Sequence, residues 1–164
     1  MNVYQFLPTA APDTAIWNYV IEIDQILKKL NCNTEIFAEN IHPCCVAKVR
    51  HYTYYKPAKN DIILYHYSIA SQLNKFVATM NSKIVLIYHN VTPSYFFDKF
   101  SDKLKFLTEL GRDELKTFLN SNLVLCIADS EFNKKELQEL GFKDIHVLPI
   151  IVDIEKYKNQ PSNP

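Results

Sequence analysis

Two apolar runs, Asp61-Ile-Ile-Leu-Tyr65 and Lys83-Ile-Val-Leu-Ile-Tyr88, decide the fold. Each is continuously hydrophobic after its first residue, as expected of a strand buried on both faces of a parallel sheet. Between them Ile69, Leu73, Phe76, Val77 and Met80 recur every three or four residues, the period of a helix with one apolar face. Strand, helix, strand over so few residues defines a crossover unit. A third such run, Leu123-Val-Leu-Cys-Ile-Ala128, repeats the pattern.

Outward from this centre the alternation continues. Asn2 to Leu7 reads as a strand stopped by Pro8, and Ile16, Tyr19, Val20, Ile23, Ile26, Leu27 and Leu30 mark a helix. Asp13 or Thr14 is its candidate N-cap, and Lys28-Lys29 suits its negative end. Thr34 to Ala38 is a second strand, and Val49 to Tyr55 alternates like an edge strand. A loop from His89 to Phe100 leads to a helix over 101–119, with Gly111 on its apolar face allowing close approach of a neighbour. The helix over 130–140 has Asp129 or Ser130 as N-cap and ends at Gly141, and Ile145 to Pro149 is the last strand. The expected fold is α/β: a doubly wound, Rossmann-like sheet, mainly parallel, with helices on both faces. Residues 1–149 form this domain; residues 150–164 lose periodicity and read as a linker or tail.

Composition narrows the function. Only two of the 164 residues are glycine, so the Gly-rich dinucleotide, Walker A and nucleophile-elbow motifs are excluded, and with them a flavin or nicotinamide fingerprint. No cofactor is expected, and any phosphate cradle must use non-glycine backbone. Eighteen Lys and Arg balance eighteen Asp and Glu, which argues against a nucleic-acid partner. No apolar run is long enough for a membrane span and no basic segment precedes the first one, so a cytoplasmic chain is expected. Its four cysteines form no C-x-x-C pair and read as free thiols.

In a doubly wound sheet, ligands bind outside the carboxyl ends of the strands, where strand order reverses. There the sequence places Pro8-Thr9, His66-Tyr67-Ser68, His89-Asn90-Val91-Thr92 and Asp129-Ser130-Glu131. With the usual strand order His66 and His89 occupy adjacent strands, about 4.8 Å apart, and both imidazoles could face one cleft. His66 is either a participant or a support that fixes the loop; His42, His51 and His146 read as ordinary polar residues. A zinc site from the two central histidines lacks a third ligand at suitable spacing, and no metal is expected. The segment Thr92 to Phe106 interleaves five aromatics with three lysines. It either tucks its rings beneath the next helix or forms a surface for an amphiphilic acceptor or a membrane interface.

Together, Val3-Tyr-Gln-Phe-Leu-Pro-Thr9, Ala38-Glu-Asn-Ile-His42, Asp61 to Ser68, Val85-Leu-Ile-Tyr-His-Asn-Val-Thr-Pro93, Ala128-Asp-Ser-Glu-Phe-Asn133 and Val147 to Asp153 resemble the N-terminal domain of bacterial family 4 glycosyltransferases of the GT-B fold. The resemblance spans about residues 1–157. It implies the acceptor-side half of a retaining enzyme that moves a hexose from a nucleotide sugar to a glycan or lipid-linked acceptor, without a required metal. By position His89 matches the active-site histidine; His66, Tyr67, Asn90 and Thr92 line the acceptor cleft; Thr9, Asn18, Ser130 and Glu131 lie near the donor. Pro149 to Tyr157 resembles the hinge. The donor itself would be held mostly by a C-terminal domain, in the same polypeptide or as a complementary subunit, which these 164 residues do not contain; alone they are expected to be inactive. Peripheral contact with the inner face of the membrane accompanies a lipid-linked acceptor. Two positions depart from the family: Trp17 stands where the first loop carries glycine, and Ile150-Ile151 where the hinge carries Asn-Gly. They support the alternative of a non-catalytic binding or docking domain that kept the fold.

Overall fold

Among the described residues, seven strands hydrogen-bond in the order β3-β2-β1-β4-β5-β6-β7, every neighbouring pair parallel. The computed structural model describes residues 1–58 and 60–151. Strands β1 (Asn2–Ala10), β2 (Asn33–Ile41), β3 (Val49–His51), β4 (Ile62–Tyr67), β5 (Lys83–Tyr88), β6 (Leu123–Ala128) and β7 (Ile145–Val147) alternate with helices α1 (Ala15–Lys29), α2 (Gln72–Ala78), α3 (Asp102–Leu115) and α4 (Glu131–Glu139). Strand order reverses between β1 and β4. This is the doubly wound, Rossmann-like arrangement the periodicity predicts, with the sheet parallel throughout.

Helices cover both faces. On one, Phe6, Ile63, Tyr65, Tyr67, Leu73, Leu86, Leu115, Phe118 and Leu137 form the main core under α2, the end of α3 and α4. On the other, α1 buries Trp17 and Val20 against Leu7, Ala10, Ile36 and Ala38, and Tyr19 against Val85 and Ile87. Of the two candidate caps for each helix, the second serves: Thr14 Oγ1 accepts from the Trp17 amide, and Ser130 Oγ from the Asn133 amide, each at 3.2 Å.

Strand β1 runs to Ala10, three residues past its expected end at Leu7. Its pairing with β4 ends at Phe6, while pairing with β2 continues on both sides of Pro8, through Leu7 with Ala38 and Thr9 with Asn40. The expected edge strand over 49–55 is shorter, because residues Tyr52–Tyr54 turn into a 3₁₀ helix. The helix expected over 101–119 likewise tightens into 3₁₀ geometry at Lys116.

Glycine scarcity is absorbed by Asn and Asp. Asp13, Asn31, Asn90 and Asp144 all adopt positive φ, the left-handed region these two residues tolerate best among non-glycines. Asn31 closes α1 and Gly141 (φ +99°) closes α4 in the same way, each followed by an amide that bonds back to the last turn. Gly111 is needed for space: a Cβ there would lie 2.7 Å from the Ala70 amide nitrogen. The 150–164 hinge falls outside the described residues except for Ile150 and Ile151, which pack against the Tyr19, Val85 and Ile87 cluster.

Candidate functional site

Because side chains alternate across a strand, Gln5 on β1 and His66 on β4 point to the face covered by α1, as does His89, two residues beyond Ile87 at the end of β5. The neighbouring β6 supplies Asp129 just past its own end. The four side chains form one row across the carboxyl ends of the central strands. Gln5 Nε2 donates to the Val20 carbonyl at 3.0 Å, Gln5 Oε1 lies 3.0 Å from His66 Nε2, and His66 Nδ1 lies 3.0 Å from His89 Nε2. The last member, His89 Nδ1, stands 3.6 Å from Asp129 Oδ2, beyond hydrogen-bond distance, and has no partner of its own.

The surroundings fix this row. Tyr19 sets its ring edge-to-face against both imidazoles, with centroids 5.9 and 5.6 Å away. Burial and the Asp129 charge push the Tyr19 phenol up to about 12, so it stays neutral near pH 7, and its hydroxyl is also unpartnered. Asp129 Oδ1 accepts from Asn133 Nδ2, which leaves Oδ2 turned to His89. Asn90, held at φ +71°, donates to Asn133 Oδ1 at 2.8 Å while its own Oδ1 is buried and unpartnered. Three unsatisfied polar atoms thus sit on Tyr19, His89 and Asn90 around Asp129 and the first turn of α4. Buried polar groups are ordinarily paired, so three unpaired ones gathered here call for a partner or a role.

The loop after β5 is braced from the opposite face. Arg112 of α3 bonds the Val91 carbonyl and pairs with Glu136 of α4. Tyr88 accepts from the Val91 amide at 3.2 Å and donates to Glu136 at 2.5 Å. Asn90 is held on both sides.

The sequence-expected residues divide clearly. His89, Asn90 and Ser130 come together around Asp129, with His66 behind His89; sequence reading puts Asp129 at a strand end and as a possible cap but not among the site residues. Tyr67 does not join them: β4 continues through it, and its hydroxyl donates to the Gly111 carbonyl on the other face. Thr92 and Glu131 are exposed, Thr9 is exposed at the end of β1, and Asn18 lies in the first turn of α1. Neither imidazole faces an open cleft; His66 is fully buried and the His89 side chain is 1% exposed beneath Tyr19. Both ring nitrogens of His66 are engaged in hydrogen bonds, and among the described residues no cluster of three His, Cys, Asp or Glu side chains could hold a metal. Gln5 and Tyr19 were missed because each reads as an ordinary position in an apolar pattern. A glutamine inside a buried strand was the available signal, since a buried amide needs a partner. Trp17 packs its indole into the core with Leu7, Val20 and Ile36.

The aromatic segment after the site is outside the core. Tyr95, Phe96, Phe100 and Phe106 are all exposed, Phe100 at 84%, with Lys99 and Lys103 exposed among them. No helix among the described residues is long and apolar enough to cross a membrane. Compared with protein-family models and with curated proteins, the chain matches none.

Proposed function

We propose that the chain is the acceptor-binding half of a retaining, family 4-like glycosyltransferase that moves a hexose from a nucleotide sugar to a glycan or lipid-linked acceptor, with His89 at the reacting end of the site. The observation that carries this reading is the unpartnered Nδ1 of His89, aimed at Asp129 where the ladder of central parallel strands ends. Hydrogen-bond acceptors dominate there: His89 Nδ1, Asn90 Oδ1 and Asp129 Oδ2. Sugar hydroxyls supply the donors they lack. His89 and Asn90 would hold the sugar, and one hydroxyl donating to His89 Nδ1, with a second donating to Asp129, would orient the reacting centres. The donor nucleotide would be held mainly by a complementary C-terminal domain. Exposed Phe96, Phe100 and Phe106, interleaved with lysines, fit peripheral contact with a membrane carrying the acceptor.

A second reading is favoured by the closure of the site. The His89 side chain is 1% exposed, and Trp17 fills core where the family carries glycine. A docking domain that kept the fold and lost the chemistry needs neither opened.

The two are separated by assaying hexose transfer from a panel of nucleotide sugars to lipid-linked and free glycan acceptors, with the chain alone and combined with a complementary nucleotide-binding domain. Transfer that disappears in His89→Ala supports the enzyme. No transfer in any pairing supports the docking domain.

A further inference from the structure

The row of polar side chains starts on a group that cannot change its role. A backbone carbonyl only accepts, so the Gln5 amide facing Val20 must be its NH₂, and its Oε1 must face His66. That oxygen accepts, so His66 Nε2 carries a hydrogen. Burial and the neighbouring His89 hold His66 well below its ordinary range, so near pH 7 it is neutral and its Nδ1 is a bare lone pair. His89 Nε2, 3.0 Å away, must then be the donor between the rings, and the near-coplanar imidazoles, tilted by 7°, suit an in-plane bond.

We infer that Gln5 and His66 are positioning residues that lock His89 in its Nε2–H tautomer, leaving Nδ1 as the proton-accepting atom opposite Asp129. A proton taken up by His89 therefore enters at Nδ1 and is met by the Asp129 carboxylate, while the sheet side of the ring stays fixed. The groups facing His89 are His66 from β4, Tyr19 from α1, Asn90 from its own loop and Asp129 before α4. Without His66 the preference would reverse, because Asp129 is then the better acceptor and draws the hydrogen to Nδ1. A merely space-filling His66 would leave the tautomer of His89 unchanged when replaced. The lock gives the proposed active-site histidine a defined direction for accepting a proton or a sugar hydroxyl; that use rests on the glycosyltransferase reading, and the tautomer does not.

The test is the nitrogen NMR spectrum of the imidazole side chains of the intact chain near neutral pH. The expected result is His66 and His89 both with a protonated Nε2 and an unprotonated Nδ1, and a shift of the His89 Nδ1 signal to the protonated region in His66→Phe. A wild-type His89 found as the Nδ1–H tautomer overturns the inference, and so does an unchanged tautomer in a folded His66→Phe. The wild-type spectrum decides even if the variant does not fold. Failure to transfer sugar with the expected tautomers present would count against the glycosyltransferase reading alone.

Discussion

His66 Nδ1 and His89 Nε2 stand 3.0 Å apart, one imidazole bonding the other edge to edge beneath the ring of Tyr19. One ring of this pair is sealed in the sheet and the other ends opposite a carboxylate.

Stability should therefore depend on His66 in a definite direction. Its folded-state value lies well below the ordinary 6.5, so the unfolded chain takes up the proton first. The contribution of neutral His66 is fully present above about pH 6.5 and falls by about 1.4 kcal/mol per unit as pH drops below it. Urea midpoints measured from about pH 8 to about pH 5 should decline more steeply for the wild type than for His66→Phe. Equal slopes would show that folding does not depress the proton affinity of His66.

The two glycines should differ in what they tolerate. Gly111→Ala places a Cβ 2.7 Å from the Ala70 backbone, which cannot yield like a side chain, and should cost about 1–3 kcal/mol. Gly141→Ala meets nothing but holds φ at +99°, and should cost about 1–2 kcal/mol. Denaturant unfolding of both variants measures the difference. A neutral Gly111→Ala would contradict the close approach of α3 to Ile69 and Ala70.

Much of this architecture is legible before any coordinates. The apolar runs that follow Asp61 and Lys83, and the run at 123–128, fit strands of a parallel sheet covered by helices, although Val124 in the last of them is 52% exposed. That sheet puts His66 and His89 side by side. What the sequence conceals is direction: continuation of β4 through Tyr67 sends that ring to the opposite face, and α1 lowers Tyr19 over both imidazoles. Gln5, the origin of the hydrogen-bonded row, lies 61 residues from His66 and has no periodic signature. The left-handed positions were concealed too, because Asn and Asp occupy them where glycine would have announced a turn.

Asn90 offers a sharper case. Its positive φ and its bond to Asn133 act together, so Asn90→Ala should lose about 1–3 kcal/mol, while Asn90→Gly recovers the backbone share. Thermal unfolding of the two variants reads the split. Equal losses would place the whole effect in the side chain.

The exposed rings after the site give a prediction about surfaces. Phe96→Ser with Phe100→Ser should leave the fold intact, since both are solvent-exposed, and should weaken binding to anionic phospholipid vesicles by about tenfold or more. Vesicle co-sedimentation measures it. No binding by the wild type would remove the membrane contact from the proposal.

The most direct measurement is hexose transfer from nucleotide sugars by the chain joined with a complementary nucleotide-binding domain, wild type against His89→Ala. Transfer by the wild type, reduced by about a hundredfold or more in the variant, is the predicted result. Transfer undiminished by His89→Ala, or none with any donor and acceptor, would contradict it.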